Sequence, residues 1–324
     1  MNSALRPMST AEVLDRTFHL YRNNFVLFVG ISMVAYILRL VMHLAMLGVF
    51  GAEAMQGQTV RSDGIGAFLV IMVVSMVIYL IVHSLASGAT VHAVSRVHLE
   101  QKASIHQSYK EIGPIFFRLL RIVISVSIRA FGPIIIVYLL FVVVLLAAAR
   151  QRNDPNSVMM LGLSMLILLA PLIFAVVWAI RVFCRYAFAV PACALEKVSA
   201  GNAMKRSKFL TENSLSRLFL VALLTGMIGF ALGYVFQLPI FIANHRFWMD
   251  SRMHLTMPYL LWTYFADFAA GALAAPIATI AIALLYYDER IRKEAFDLQW
   301  MMQSLAPAVS QATAATSSGA SIAT

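Results

Sequence analysis

Three charged side chains stand inside stretches of otherwise apolar sequence: Arg39, Arg129 and Asp267. His43 follows Arg39 by four residues, which on a helix puts imidazole and guanidinium on one face. Charge at the bilayer centre costs about 2.5–3.5 kcal/mol on insertion scales. A guanidinium there needs a carboxylate, backbone carbonyls, water or an anionic ligand, and one acid cannot neutralise two arginines. Two readings follow. In the structural one, Asp267 pairs with one arginine while the other reaches water or carbonyls, or snorkels to the interface. In the ligand-binding one, Arg39, His43, Arg129 and Asp267 serve a polar cavity for an anion, with lipid phosphate the best match to a bidentate guanidinium.

More basic residues gather at the ends of the apolar runs. Arg181 and Arg185 are one turn apart, Lys205, Arg206 and Lys208 form a cluster, and Arg290, Arg292 and Lys293 follow Tyr286-Tyr287-Asp288. They read as membrane-interface anchors that reach to phosphates, or as a docking patch for an acidic protein partner at the cytoplasmic face. Tyr286 and Tyr287 read as part of an aromatic belt. His83 and His92 have no acidic neighbours in sequence, so helix-to-helix hydrogen bonding is expected of them rather than proton relay. Cys184 and Cys193 form no CxxC and read as buried small hydrophobes. No metal site, cofactor or catalytic residue is expected, since no nucleotide-binding loop, GxSxG, HExxH or paired carboxylate is present.

Lipid-length helices must position these groups. Of 324 residues, 61% are apolar and 12% charged, with mean hydropathy +0.81. A soluble domain has about 45–50% apolar and about 25% charged residues, so a soluble enzyme is nearly ruled out. The net charge of +10 is scattered between apolar runs, which leaves no basic domain to hold nucleic acid. Six runs are long enough to cross the roughly 30 Å hydrocarbon core, at about 25 to 50, 67 to 94, 119 to 147, 158 to 182, 216 to 242 and 258 to 287. They lack the alternation of barrel strands. The expected fold is therefore all-α, a polytopic membrane helical bundle, in a single domain over 1–302. The stretch 303–324 reads as a disordered tail.

Lys and Arg orient it. Segments 1–24, 95–121, 181–217 and 288–324 hold eighteen, against five in 51–66, 148–157 and 243–257. The richer side stays cytoplasmic, which puts both termini inside. No removable signal peptide is expected. Pro133, Pro171, Pro239 and Pro276 fall in four different spans and predict kinks.

Before each odd-numbered span lies a serine, Ser9, Ser104 and Ser199, at intervals of 95 residues. Glu12, Gln107 and Asn202 stand three positions on, which predicts capping boxes at the first two and a weaker cap at the third. Apolar stripes follow: Leu14, Thr17, Phe18 and Tyr21, then Ile105, Tyr109, Ile112 and Phe116, then Ala203, Met204, Ser207 and Leu210. Such stripes let a helix lie in the membrane interface. Three units are expected over 9–103, 104–198 and 199–293, each an interfacial helix followed by a transmembrane hairpin.

Three stretches carry a resemblance. Leu5-Arg6-Pro7-Met8-Ser9-Thr10-Ala11-Glu12-Val13-Leu14-Asp15-Arg16, Asn202-Ala203-Met204-Lys205-Arg206-Ser207 and Tyr286-Tyr287-Asp288-Glu289-Arg290-Ile291-Arg292-Lys293-Glu294 resemble a family of uncharacterised bacterial membrane proteins. These are similar to the membrane domain of glycerophosphoryl diester phosphodiesterases. The resemblance implies a bacterial inner-membrane protein with multiple helices. In fused members hydrolysis belongs to a soluble domain with a His-Arg-Gly motif. Here His245-Arg246 is followed by Phe247, so diesterase activity is not carried over. The expectation is a non-enzymatic membrane protein that contacts anionic phospholipid and scaffolds or modulates envelope lipid processes. The alternative is a permease or flippase with Arg39, Arg129 and Asp267 in its path.

Overall fold

A computed structural model describes residues 7–55, 62–98, 101–150, 157–243 and 257–294. The expected tail at 303–324 and the His245-Arg246 pair lie outside them. Among the described residues all secondary structure is helical. Six helices are long and apolar enough to cross a membrane: α2 (Phe25–Met55), α3 (Ser62–His98), α5 (Phe116–Arg150), α6 (Ser157–Tyr186), α9 (Leu215–Ala243) and α10 (Met257–Glu294). This is the architecture of a multi-pass membrane protein.

Four short α-helices and a 3-10 turn at Gly113–Ile115 complete the described fold, the helices being α1 (Thr10–Asn23), α4 (Ile105–Ile112), α7 (Ala189–Glu196) and α8 (Ala200–Thr211). Ser9, Ser104 and Ser199 start α1, α4 and α8, each hydroxyl accepting from the N–H three residues on at 3.2, 3.3 and 3.4 Å. The reciprocal bond, Ser9 N–H to Glu12 Oε2 at 2.6 Å, makes a full capping box at α1. Cap chemistry thus sets three helix starts at the spacing the sequence predicts.

Of the three stripes, Thr17 of α1, Ile112 of α4, and Ala203, Ser207 and Leu210 of α8 are buried in the protein, while Phe18 of α1 is exposed. Residues of α1, α4, α7 and α8 join one buried cluster with the ends of the long helices, α1 and α4 packing on those helices and α7 on α8. This capped end holds the main core, built from the start of α2, the end of α3, the start of α5 and the last turns of α10. Cys184 and Cys193 are free and buried in it, as expected.

α10 is the axis of the bundle. It packs on α9, α2, α1, α3 and α8. Gly271 permits the α2 contact, since a Cβ there would lie 2.0 Å from the Tyr36 ring; small residues let membrane helices approach closely. α5 and α6 form a hairpin to one side, joined to the rest through α3, α7, α8 and α9. The predicted prolines all lie inside helices: Pro133 in α5, Pro171 in α6, Pro239 in α9 and Pro276 in α10.

Candidate functional site

The embedded charges separate into two places. Arg39 of α2 pairs with Asp267 of α10 through Nε to Oδ2 at 3.0 Å and a terminal nitrogen to Oδ1 at 3.3 Å. Its guanidinium also stands 5.6 Å from the Tyr79 ring. His43 stacks on Tyr264 with ring centroids 4.8 Å apart. Arg39 and His43 share a cavity of about 360 Å³ between α2 and α3, edged by Met42, Met46, Met72 and Met76. Asp267 has neutralised the one cation of that cavity, so it holds no net positive charge for an anion.

Arg129 lies elsewhere. With Trp178, Arg181, Arg185 and Tyr186 of α6 and Lys208 of α8 it lines a second cavity, of about 240 Å³. The Tyr186 ring takes Arg129 at 5.4 Å and Lys208 at 5.5 Å. The Trp178 indole N–H donates to the Arg129 carbonyl at 3.0 Å, and one Arg129 nitrogen contacts Met204 Sδ at 3.4 Å. Four cations converge with no acid in the lining. The Tyr186 face offsets part of the repulsion, and the remainder favours an anion.

Other basic residues are committed within the chain. Arg206 Nε lies 2.5 Å from Glu196 and a terminal nitrogen 2.7 Å from Glu294. Burial alone would lower the Arg206 pKa, but the Glu196 hydrogen bond and the two carboxylate charges outweigh it and raise the value. Arg290 lies 3.1 Å from Glu294 and 3.7 Å from Glu196. Arg292 Nε binds Asp288 at 2.8 Å, and Lys293 caps the Leu210 carbonyl at 2.9 Å. The trio of Lys205, Arg206 and Lys208 is therefore split three ways: Lys205 exposed, Arg206 among acids, Lys208 in the basic cavity.

Tyr286 and Tyr287 are not an aromatic belt. Both are buried, and the Tyr286 hydroxyl donates to Glu196. Charge near a Tyr pair reads as an interface, but Asp288 and Glu289 are buried as well. Asp288 accepts from the Met8 N–H at 2.6 Å and pairs with Arg217, whose other terminal nitrogen donates to the Met8 carbonyl at 2.7 Å. The stretches that carry the resemblance thus meet in space, Met8 against 288–292 and Arg206 against Glu294, as a structural clasp.

Among the histidines, His83 stacks on Tyr79 with centroids 5.5 Å apart, while His92 Nδ1 is buried with no hydrogen-bond partner, against expectation. Trp178 and Tyr186 escaped sequence reasoning, although a signal existed: 178, 181, 182, 185 and 186 fall on one helical face. In comparisons with known proteins, no family model, curated protein or solved structure matches this chain.

Proposed function

We propose that this is a non-enzymatic inner-membrane protein that binds the phosphate of an anionic phospholipid in the basic cavity between α5, α6 and α8. The observation that carries the reading is the convergence of Arg129, Arg181, Arg185 and Lys208 without an acid. Basic pockets between helices on the cytoplasmic side suit anionic headgroups, and arginine grips phosphate through two parallel N–H bonds. The capped end is then cytoplasmic, in accord with the distribution of Lys and Arg, and both termini are inside. Three units at 9–103, 104–198 and 199–293 belong to the same reading, supported by the recurring serine caps. So does kinship with the membrane domain of glycerophosphoryl diester phosphodiesterases, supported by the short motifs alone. A lipid held this way equips the protein to scaffold or modulate envelope lipid processes. The permease alternative drew on Arg39, Arg129 and Asp267 in one path; Arg39 and Arg129 line different cavities, which favours the first reading.

Native mass spectrometry of gently solubilised protein tests this. Wild type retains a defined anionic phospholipid, Arg181→Gln/Arg185→Gln loses it, and Arg39→Gln keeps it. Equal lipid on all three would remove the basic cavity as a binding site.

A further inference from the structure

An apolar cavity of about 340 Å³ continues the α5–α6 seam away from the capped end. It is lined by Ile134, Val137 and Phe141 of α5 and by Met165, Leu168 and Leu172 of α6, among others. We propose that this seam seats one acyl chain of the phospholipid whose phosphate occupies the basic cavity. The hairpin would then hold a whole lipid of the cytoplasmic leaflet rather than a free phosphate. This inference rests on the headgroup reading above.

The register of both helices supports it. From Arg129, Ile134 is five residues further along α5 and Phe141 twelve, about 7.5 and 18 Å at 1.5 Å per residue. On α6, which runs the other way, Leu172 is six residues before Trp178 and Met165 thirteen, about 9 and 20 Å. The apolar space therefore begins just beyond the cations and runs outward, as a chain does from its phosphate.

The local sequence explains why the seam closes and then opens. At the level of the basic cavity Ala130, Ala179 and Val182 are buried against each other, and their small side chains bring the helices together. Pro133 in α5 and Pro171 in α6 follow on the outward side. Each lacks the N–H of an intrahelical hydrogen bond, which favours a bend at the level where the apolar cavity begins. Charge complementarity places the occupant's phosphate, and continuity along one pair of helices places its chain. The Arg39 cavity lacks the first property because Asp267 neutralises its cation. Lipid tails are as apolar as leucine, so the seam gains little from burial as such. Headgroup contacts select the lipid, and the seam aligns and retains it.

The test uses phosphatidylglycerol with a diazirine midway along one chain, bound to the full chain in micelles and irradiated, with labelled residues mapped. In wild type the label concentrates on 134–141 and 165–172. It falls about tenfold in Arg181→Gln/Arg185→Gln, the ratio for about 1.4 kcal/mol of lost affinity. Val137→Trp, which fills the seam, lowers the label and the retained lipid together. Excess inorganic phosphate leaves the label in place.

Even labelling of α5, α6 and α9 in wild type, with lipid still lost from Arg181→Gln/Arg185→Gln, would overturn the chain seat and leave the headgroup reading standing. Lipid kept by that double variant would overturn both. Displacement of the label by inorganic phosphate would overturn the whole-lipid site in favour of a phosphate pocket. The wild-type mapping needs no variant to fold, and both arginines replaced are exposed.

Discussion

Two regions of this protein gather guanidinium groups and treat them oppositely. Around α10, Arg206, Arg217, Arg290 and Arg292 face Glu196, Asp288, Glu289 and Glu294, and each arginine has a carboxylate within 3.3 Å. Between α5, α6 and α8, Arg129, Arg181, Arg185 and Lys208 line one cavity, with Arg129 and Lys208 both against the Tyr186 ring. The first region is closed electrostatically and sits in the core. The second is open and sits at the side. A compensated cluster holds a fold together, whereas an uncompensated one is useful only to something that brings the missing charge. The comparison separates structural arginines from candidate binding arginines without any motif.

The largest expected effect is at the closed cluster. Asp288→Ala leaves Arg217, Arg292 and the Met8 N–H without their shared acceptor, and breaking a buried pair costs about 3–5 kcal/mol. Thermal unfolding in micelles reads this directly, and a loss under about 1 kcal/mol would show the clasp to be decorative. Next comes the axis itself: Gly271→Ala drives a methyl into the Tyr36 ring and costs about 1–3 kcal/mol by overpacking, measured the same way. An unchanged melting curve there would mean that α2 and α10 pack more loosely than described.

The Arg39–Asp267 pair lies between the two regions in character, compensated but half exposed. Asp267→Asn should cost about 1 kcal/mol, within the range of polar contacts between membrane helices, and leave the bound lipid unchanged. Lipid lost from this variant would move the binding site toward α2 and α10. The smallest effect on the lipid-free fold belongs to the open cavity. Arg181→Gln/Arg185→Gln changes lipid-free stability by about 0.5 kcal/mol or less, since both residues are exposed and unpaired among the described residues. What it removes is the stabilisation of wild type by added anionic lipid, about 2.7 kcal/mol at a hundred times Kd. Titrating lipid against melting temperature distinguishes the two.

The fold was legible where one residue type acts alone. Long apolar runs set six helices, and serine hydroxyls set the starts of α1, α4 and α8. Apolar residues are ambiguous between lipid and protein as neighbours, so the stripe of Ile105, Tyr109 and Ile112 gave the helix without the surface it faces. Pairings across the chain were legible only where stoichiometry forced them, as with one acid for Arg39 and Arg129; which arginine takes it depends on packing. Tyr286 misled because a Tyr pair beside charges looks alike at an interface and in a core. The basic cavity unites three helices and side chains up to 79 positions apart, from Arg129 to Lys208, and only its α6 face was written locally.

The Met8–Asp288 bond joins residues 280 positions apart, and this has a consequence for biosynthesis. Chains emerge from the ribosome N-terminus first at about 5–20 residues per second. For some 14 to 56 seconds after Met8 is made, Asp288 does not yet exist. During that interval α1 to α9 must wait in or beside the bilayer with the place of α10 empty and the Arg217 guanidinium unanswered. Among the described residues α10 is the last helix made and the one around which the others close, so a chain that stops before it leaves Arg217 without the carboxylates of Asp288 and Glu289.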